Sequence, residues 1–191
     1  MRAVVVCVIG APRRADDLTR TVAGAATVPM HARARELIAT LELRPHPEGG
    51  FYREVFRSSL RVTPADGRGP RPALTTIYFL LARGAVSRFH RVTSDEVWHL
   101  YEGGPLELLE LDASTCQLVR HRLGAVGDGA GAPVCTIRAG LWQAARPLAD
   151  YALVGCTVGP GFDFADFRLL TEDAELAAVV RAKWPEFGAL I

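Results

Sequence analysis

Between Ser87 and Gly104 the chain gathers His90, Asp95, Glu96, Trp98, His99 and Tyr101, set among apolar residues and closed by a glycine turn. Histidine titrates near neutrality and can pass a proton, and a carboxylate beside it fixes its tautomer and stabilises the imidazolium. His90 with Glu96, and a phenol from Tyr78 or Tyr101, has the parts for abstracting a proton next to a carbonyl. That is the chemistry of an isomerase or epimerase. The same residue types suit a first-row divalent metal, for which imidazole and carboxylate are borderline ligands. Strand parity limits which of these side chains can act together. Glu96 and Trp98 share a face, whereas His99 falls on the other face unless a bulge intervenes. Trp142 and Gln143 alternate in the same way. Trp98, Phe89 and Tyr78 can supply aromatic wall, and His99, Gln143 and Tyr101 the few polar groups a ligand pocket needs.

Four further features bear on chemistry, two of them by carrying none. His46-Pro47-Glu48-Gly49-Gly50 demands a specific loop, and its glycines suit positive φ. It could place Glu48 or His46 at a pocket mouth. Arg53 has the planar fork to hold an anionic substrate. Cys156 sits in an apolar run with no activating partner in sequence and reads as an inert core thiol. Gly159-Pro160-Gly161 is a turn without the context of a phosphate loop.

These groups must be positioned by short strands. The alternation of Phe51 to Ser58 places Tyr52, Glu54 and Phe56 on one face and Phe51, Arg53, Val55 and Arg57 on the other. The stretch Arg61 to Pro72 is an exposed loop. Strands are predicted over 75–81, 85–90, 96–101, 106–111, 117–123, 134–138, 141–145, 151–158 and 164–170, with glycine turns between them. Leu37, Ile38 and Leu41 recur at helical spacing within 31–43, before Pro45 and Pro47 stop the helix. A second helix is predicted from Thr171, as N-cap, to Phe187, with Leu176, Val179 and Val180 inward and Pro185 ending it. Many short strands with turns between them indicate a sandwich or barrel. The domain spans residues 30–191, and residues 1–29 read as a leader or an extra N-terminal strand.

Composition narrows the class. The chain has 191 residues, 49% of them hydrophobic, enough for one domain with a sizeable core. Lys and Arg number 22 against 21 Asp and Glu, a net charge of +1, which offers no electrostatic case for nucleic acid. No apolar run is long enough to cross a membrane. Arg13 and Arg14 follow the apolar run Ala3 to Ile9, the reverse of a secretory signal. The four cysteines, Cys7, Cys116, Cys135 and Cys156, form no Cys-x-x-Cys pair and read as free thiols in a reducing compartment. The expected location is the cytoplasm.

The pattern His90, Glu96, Gly103, followed later by Ala139-Gly140-Leu141-Trp142-Gln143, resembles the two sequence blocks of the cupin superfamily. With His46 to Glu54, Thr76 to Leu81, Ser94 to His99 and Leu153 to Phe162, the chain is similar to one cupin family defined as a domain of unknown function. The resemblance covers about residues 33–187. It implies an all-β fold with flanking helices, a jelly roll or double-stranded β-helix, enclosing a small-molecule ligand. It also implies a homodimer and an architecture like that of sugar epimerases. A cupin metal site has three histidines and a glutamate. Here His90 and Glu96 match, Val92 stands where a second histidine would be, and Gln143 takes the fourth position. A divalent metal (Fe, Mn, Ni or Zn) held by His90, Glu96 and Gln143 is the alternative to metal-free proton transfer, as in a dioxygenase or hydrolase. A ligand-binding cupin without catalysis is the third reading.

Overall fold

The computed structural model describes residues 29–127, 129 and 131–191. The leader or extra strand expected before residue 29, and Cys7 with it, lies outside the described residues save for Pro29. Helix α1 (Ala32–Thr40) comes first, and His31 caps it by accepting the Arg33 N–H on Nδ1 at 3.2 Å. Strands β1 (Arg44–Pro45) and β2 (Phe51–Arg57) follow, then a small hairpin of β3 (Arg61–Val62) and β4 (Arg71–Pro72) inside the stretch expected to be loop. The body is β5 (Thr75–Ala82), β6 (Ser87–Val92), β7 (Asp95–Gly103), β8 (Leu106–Asp112), β9 (Gln117–Leu123), β10 (Val134–Ile137), β11 (Trp142–Pro147), β12 (Tyr151–Gly159) and β13 (Phe167–Leu169). Helix α2 (Ala174–Lys183) and a 3-10 segment (Pro185–Leu190) end the chain.

Two antiparallel sheets form, in the orders β1-β2-β5-β12-β7-β10 and β13-β6-β11-β8-β9. From β5 onward the chain crosses between sheets at every connection except β8–β9. This separates the fold from a simple meander and gives the expected jelly roll. The closed end is packed by Leu81, Leu106, Leu108, Leu123 and Ala145, with Phe79, Trp98 and Ile137 in the same cluster. Each sheet carries a helix on its outer face. Ala34, Leu37 and Leu43 cover Leu80, Ala82 and Leu153 of the six-stranded sheet. Ala177, Val180, Phe187 and Leu190 cover Phe89, Leu109, Leu111, Trp142 and Ala144 of the five-stranded one.

Three further local expectations differ from the structure. The predicted strand over 164–170 is a 3-10 turn at Phe164–Asp166, then β13, then a second 3-10 turn. Asp163 starts the first turn by accepting the Ala165 N–H, a local bond that competes with strand pairing. The last helix is capped by Asp173, not Thr171: the Asp173 carboxylate accepts the Leu176 N–H at 3.0 Å. It buries Ala177 and Val180 but leaves Val179 exposed. The third difference is a bulge in β2. Glu54 pairs with Ile77 but Phe56 pairs with Thr76, so Val55 is the extra residue. Arg57 therefore joins Tyr52 and Glu54 on the inner face, and Phe56 turns outward, half exposed.

Candidate functional site

Register across the six-stranded sheet sets the inner wall, because directly paired residues share a face. One row runs Arg44, Tyr52, Phe79, Val154, Leu100. The next runs Glu54, Ile77, Cys156, Trp98, Cys135. The third runs Arg57, Thr75, Val158, Glu96, Ile137. On the facing sheet His90 pairs with Gln143, but Ala145 pairs with Ser87, so β6 bulges between them. That bulge turns both Ser87 and His90 inward and sends Phe89 out to the α2 cluster. The space between the sheets is a cavity of about 250 Å³ at the open end of the roll. His46, Glu48, His90, Glu96 and Cys156 form its polar floor, Val92, Phe162, Phe164 and Phe167 part of its apolar wall, and Arg44, Glu54 and Arg57 also line it.

Glu48 arrives from the His46–Gly50 loop. Gly49 and Gly50 have φ of +112° and +68°, and a Cβ on Gly49 would lie 2.1 Å from the Val86 carbonyl oxygen. Only glycine lets the loop press this closely on the β5–β6 connection. The loop is further held by the Arg88 N–H donating to the Glu48 carbonyl at 2.9 Å. Its side chain is buried, with Ser87 Oγ donating to Oε1 at 3.0 Å and His90 Nε2 lying 3.3 Å from Oε2.

The hydrogen bonds dictate protonation. His90 Nδ1 lies 2.8 Å from the Arg88 carbonyl oxygen, which can only accept, so Nδ1 carries a proton. Nε2 of the neutral ring is then an acceptor facing Glu48. Burial pushes the Glu48 carboxyl up to about 8. Burial also lowers His90, against the attraction of Glu96. The favourable state near neutrality is one proton shared between Glu48 Oε2 and His90 Nε2. His46 accepts the Glu48 N–H on Nδ1 at 3.3 Å, and burial, with the charges of His90 and Arg44, brings it down to about 4, so it is neutral.

Glu96 is the second buried carboxyl. The Trp98 indole N–H donates to Gln143 Oε1 at 3.0 Å, which turns the Gln143 amide nitrogen to Glu96 Oε2 at 2.6 Å. An indole can only donate, so the amide orientation is forced. Burial raises Glu96, and Glu48 raises it further, while His90 and Gln143 favour its charge. Replacing Trp98 by phenylalanine leaves Gln143 Oε1 buried without a donor, at an expected cost of about 1–3 kcal/mol in denaturant unfolding. Cys156 lies against Glu96, and burial with the two carboxyls raises its thiol well above the ordinary range, so it is protonated and a poor nucleophile.

Of the residues singled out in sequence, His90, Glu96 and Glu48 line the cavity, with Gln143 and Trp98 directly behind Glu96. Phe89 packs against α2 instead. His99 and Tyr101 stack on the outer face of β7, and Tyr78 packs edge-on to Tyr101 there. The bulge that could have turned His99 inward falls later, between Leu100 and Glu102. Arg53 is outside as well, paired with Glu42 at 3.0 Å. Neither phenol reaches His90. Tyr52, Arg44, Arg57 and the Phe162–Phe167 segment line the cavity without having been singled out. Tyr52 was legible from its parity with Glu54, but Arg57 was hidden by the bulge.

The donor set does not fit the metal alternative. Gln143 spends its oxygen on Trp98 and its nitrogen on Glu96, and Val92 presents only an apolar side chain. Among the described residues no three His, Cys, Asp or Glu side chains are placed to hold a cation. Cys116, Cys135 and Cys156 are free thiols. No helix among the described residues is long and apolar enough to cross a membrane.

Comparison with known proteins agrees with this architecture. A hypothetical protein from Leishmania major is 34% identical, with a TM-score of 0.70 over 83% of this chain and 96% of that one. A crystallised protein from Shewanella oneidensis is also 34% identical, with a TM-score of 0.69 over 82% of this chain and 93% of its own. The oxalate decarboxylase of Lactobacillus farciminis shares the fold alone, at 19% identity and a TM-score of 0.50, covering 75% of this chain and 38% of that one. No curated protein matches. Residues 35–170 match the family described as Cupin superfamily (DUF985), and the chain belongs to that family.

Proposed function

We propose that this cupin is a small-molecule isomerase or epimerase that moves a proton at a carbon next to a carbonyl, without a metal. The observation that carries the reading is the convergence of Glu48, His90 and Glu96, all buried, on one cavity. Environments that hold two carboxyls in different protonation states separate an acid from a base. Glu96 accepts from Gln143 and is favoured in its charged form by His90, which assigns it the role of base. It takes the proton as the C–H bond breaks, and the electron pair moves into the carbon–carbon double bond of an enol. The carbonyl oxygen receives the proton shared by Glu48 and His90. Glu96 then gives its proton to the neighbouring carbon while that enol's other hydroxyl passes its proton back to the Glu48–His90 pair, which re-forms a carbonyl, restores both groups and completes the isomerisation. The aromatic wall from Phe162 to Phe167 excludes water from the enol.

The test is incubation of the protein in D2O with a panel of small 2-hydroxy and 2-oxo compounds, followed by proton NMR. The expected result is replacement of hydrogen by deuterium at the carbon next to the carbonyl, unchanged after EDTA treatment. Binding without exchange across the panel would favour the non-catalytic reading. Exchange abolished by EDTA and restored by Mn, Fe or Zn would establish the metal-dependent one.

A further inference from the structure

The cavity holds two arginines in different electrostatic states. Arg57 is engaged: it donates to both oxygens of Glu54, at 2.9 and 2.6 Å, and to the Phe162 carbonyl at 3.1 Å. Arg44 is not. Its guanidinium lies 5.0 Å from the centre of the Tyr52 ring, and among the described residues no carboxylate is within ion-pair distance of it. It stands on the edge strand β1, in register with Tyr52, and is exposed at the mouth of the cavity it lines. Its charge is felt at His46, which lies on the cavity floor next to Glu48. A planar cation held against an aromatic ring, with its donors unspent, is the arrangement that takes a carboxylate in a bidentate contact. The floor beyond it is acidic, so an anion has one favourable end of this cavity.

Resting on the proton-transfer reading above, we propose that the substrate is a small carboxylic acid. Its carboxylate docks on Arg44 beside Tyr52, and its carbonyl and adjacent carbon reach Glu48, His90 and Glu96. A cavity of about 250 Å³ is smaller than the usual drug-sized pocket, which fits an acid of a few carbons. One guanidinium without a glycine-rich loop or helix N-terminus matches a single carboxylate; a phosphate dianion ordinarily recruits more donors.

The test uses ligand-observed NMR titration of the full chain. The probes are pyruvate, lactate, 2-oxobutyrate and 2-oxoglutarate, the neutral analogues hydroxyacetone and pyruvamide, and inorganic phosphate. Wild type is expected to bind at least one of the acids, and Arg44→Gln to weaken that acid at least tenfold without changing the melting temperature. Arg44→Lys should recover part of the loss, and neutral analogues should bind weakly and equally to all three proteins. Binding of none of the acids, equal affinity in wild type and Arg44→Gln, or preference for a neutral analogue or phosphate would overturn the proposal. Failure of the two readings is distinguishable. Arg44-dependent binding with no deuterium exchange leaves the carboxylate site standing and removes the proton transfer. Exchange on neutral compounds only does the reverse.

Discussion

Glu96→Gln is expected to slow deuterium exchange at the substrate carbon by about 10²–10⁴-fold, the usual contribution of a positioned general base, with affinity changed only a few-fold. Glutamine keeps the shape of the side chain but cannot accept a proton from carbon. The position tolerates the change because its neighbours are neutral. Gln143 donates to Glu96 Oε2, and a glutamine oxygen can accept in its place. The variant also relieves the cost of holding a carboxyl that burial pushes upward. Stability should therefore stay level or rise. A fall in kcat with KM unchanged is the signature of a group acting in the transition state. A loss of affinity that tracked the loss of rate would instead make Glu96 a binding group.

Glu48→Gln should produce the second large effect, and it is read as pH dependence. Burial holds the Glu48 carboxyl at about 8 in the folded protein, against an ordinary value of 4.5. The folded state thus binds more protons than the unfolded state between those values. Stability from this group is fully present below pH 4.5 and is lost as pH rises toward 8. The loss amounts to a few kcal/mol. In Glu48→Gln the group no longer titrates, so the variant should gain on wild type as pH rises through that window. The measurement is urea unfolding of both proteins from pH 5 to 9. Parallel curves would contradict a buried, proton-bearing Glu48. Activity should follow the same proton: wild-type exchange falls above about pH 8 as the shared proton is lost, and the variant is slow throughout.

His46 gives an independent control on the acid side. Its folded value of about 4 lies below its ordinary 6.5, so its contribution is present above pH 6.5 and is lost as pH falls toward 4. The expected loss is roughly 3 kcal/mol. Replacement by asparagine should flatten the acid limb of the wild-type stability curve and leave the limb above pH 7 alone.

The jelly roll was legible because its causes are local and repeated: short alternating strands, glycine turns and prolines that stop helices. The pairing of Glu96 with Trp98 on one face followed from parity and is the arrangement found. What parity could not give was the position of the bulges. One extra residue, Val55, moves Arg57 into the cavity. Another bulge in β6 keeps Ser87 and His90 inward together and expels Phe89. A third comes too late along β7 to turn His99 inward. Bulges arise from pairing with strands far away in sequence, so no single stretch announces them. The phenols failed for a related reason. Tyr78 has the outward parity of β5, next to inward Ile77 and Phe79, but that face was assignable only once the sheet order was known. The Glu48 loop shows the converse. Its two glycines could be read as a turn requirement alone, yet the same tight approach is what carries the carboxyl to His90.

The proposed chemistry rests on one mobile proton between Glu48 and His90, facing Glu96. The most direct measurement is the ¹⁵N chemical shift of His90 in histidine-labelled protein, assigned with His90→Gln and followed from pH 5 to 9. The predicted result is a neutral ring at pH 7 with the proton on Nδ1 and Nε2 as acceptor, the Nε2 shift moving as Glu48 ionises near pH 8 and staying fixed in Glu48→Gln. An Nε2–H tautomer, or a full imidazolium that persists to pH 9, would contradict it.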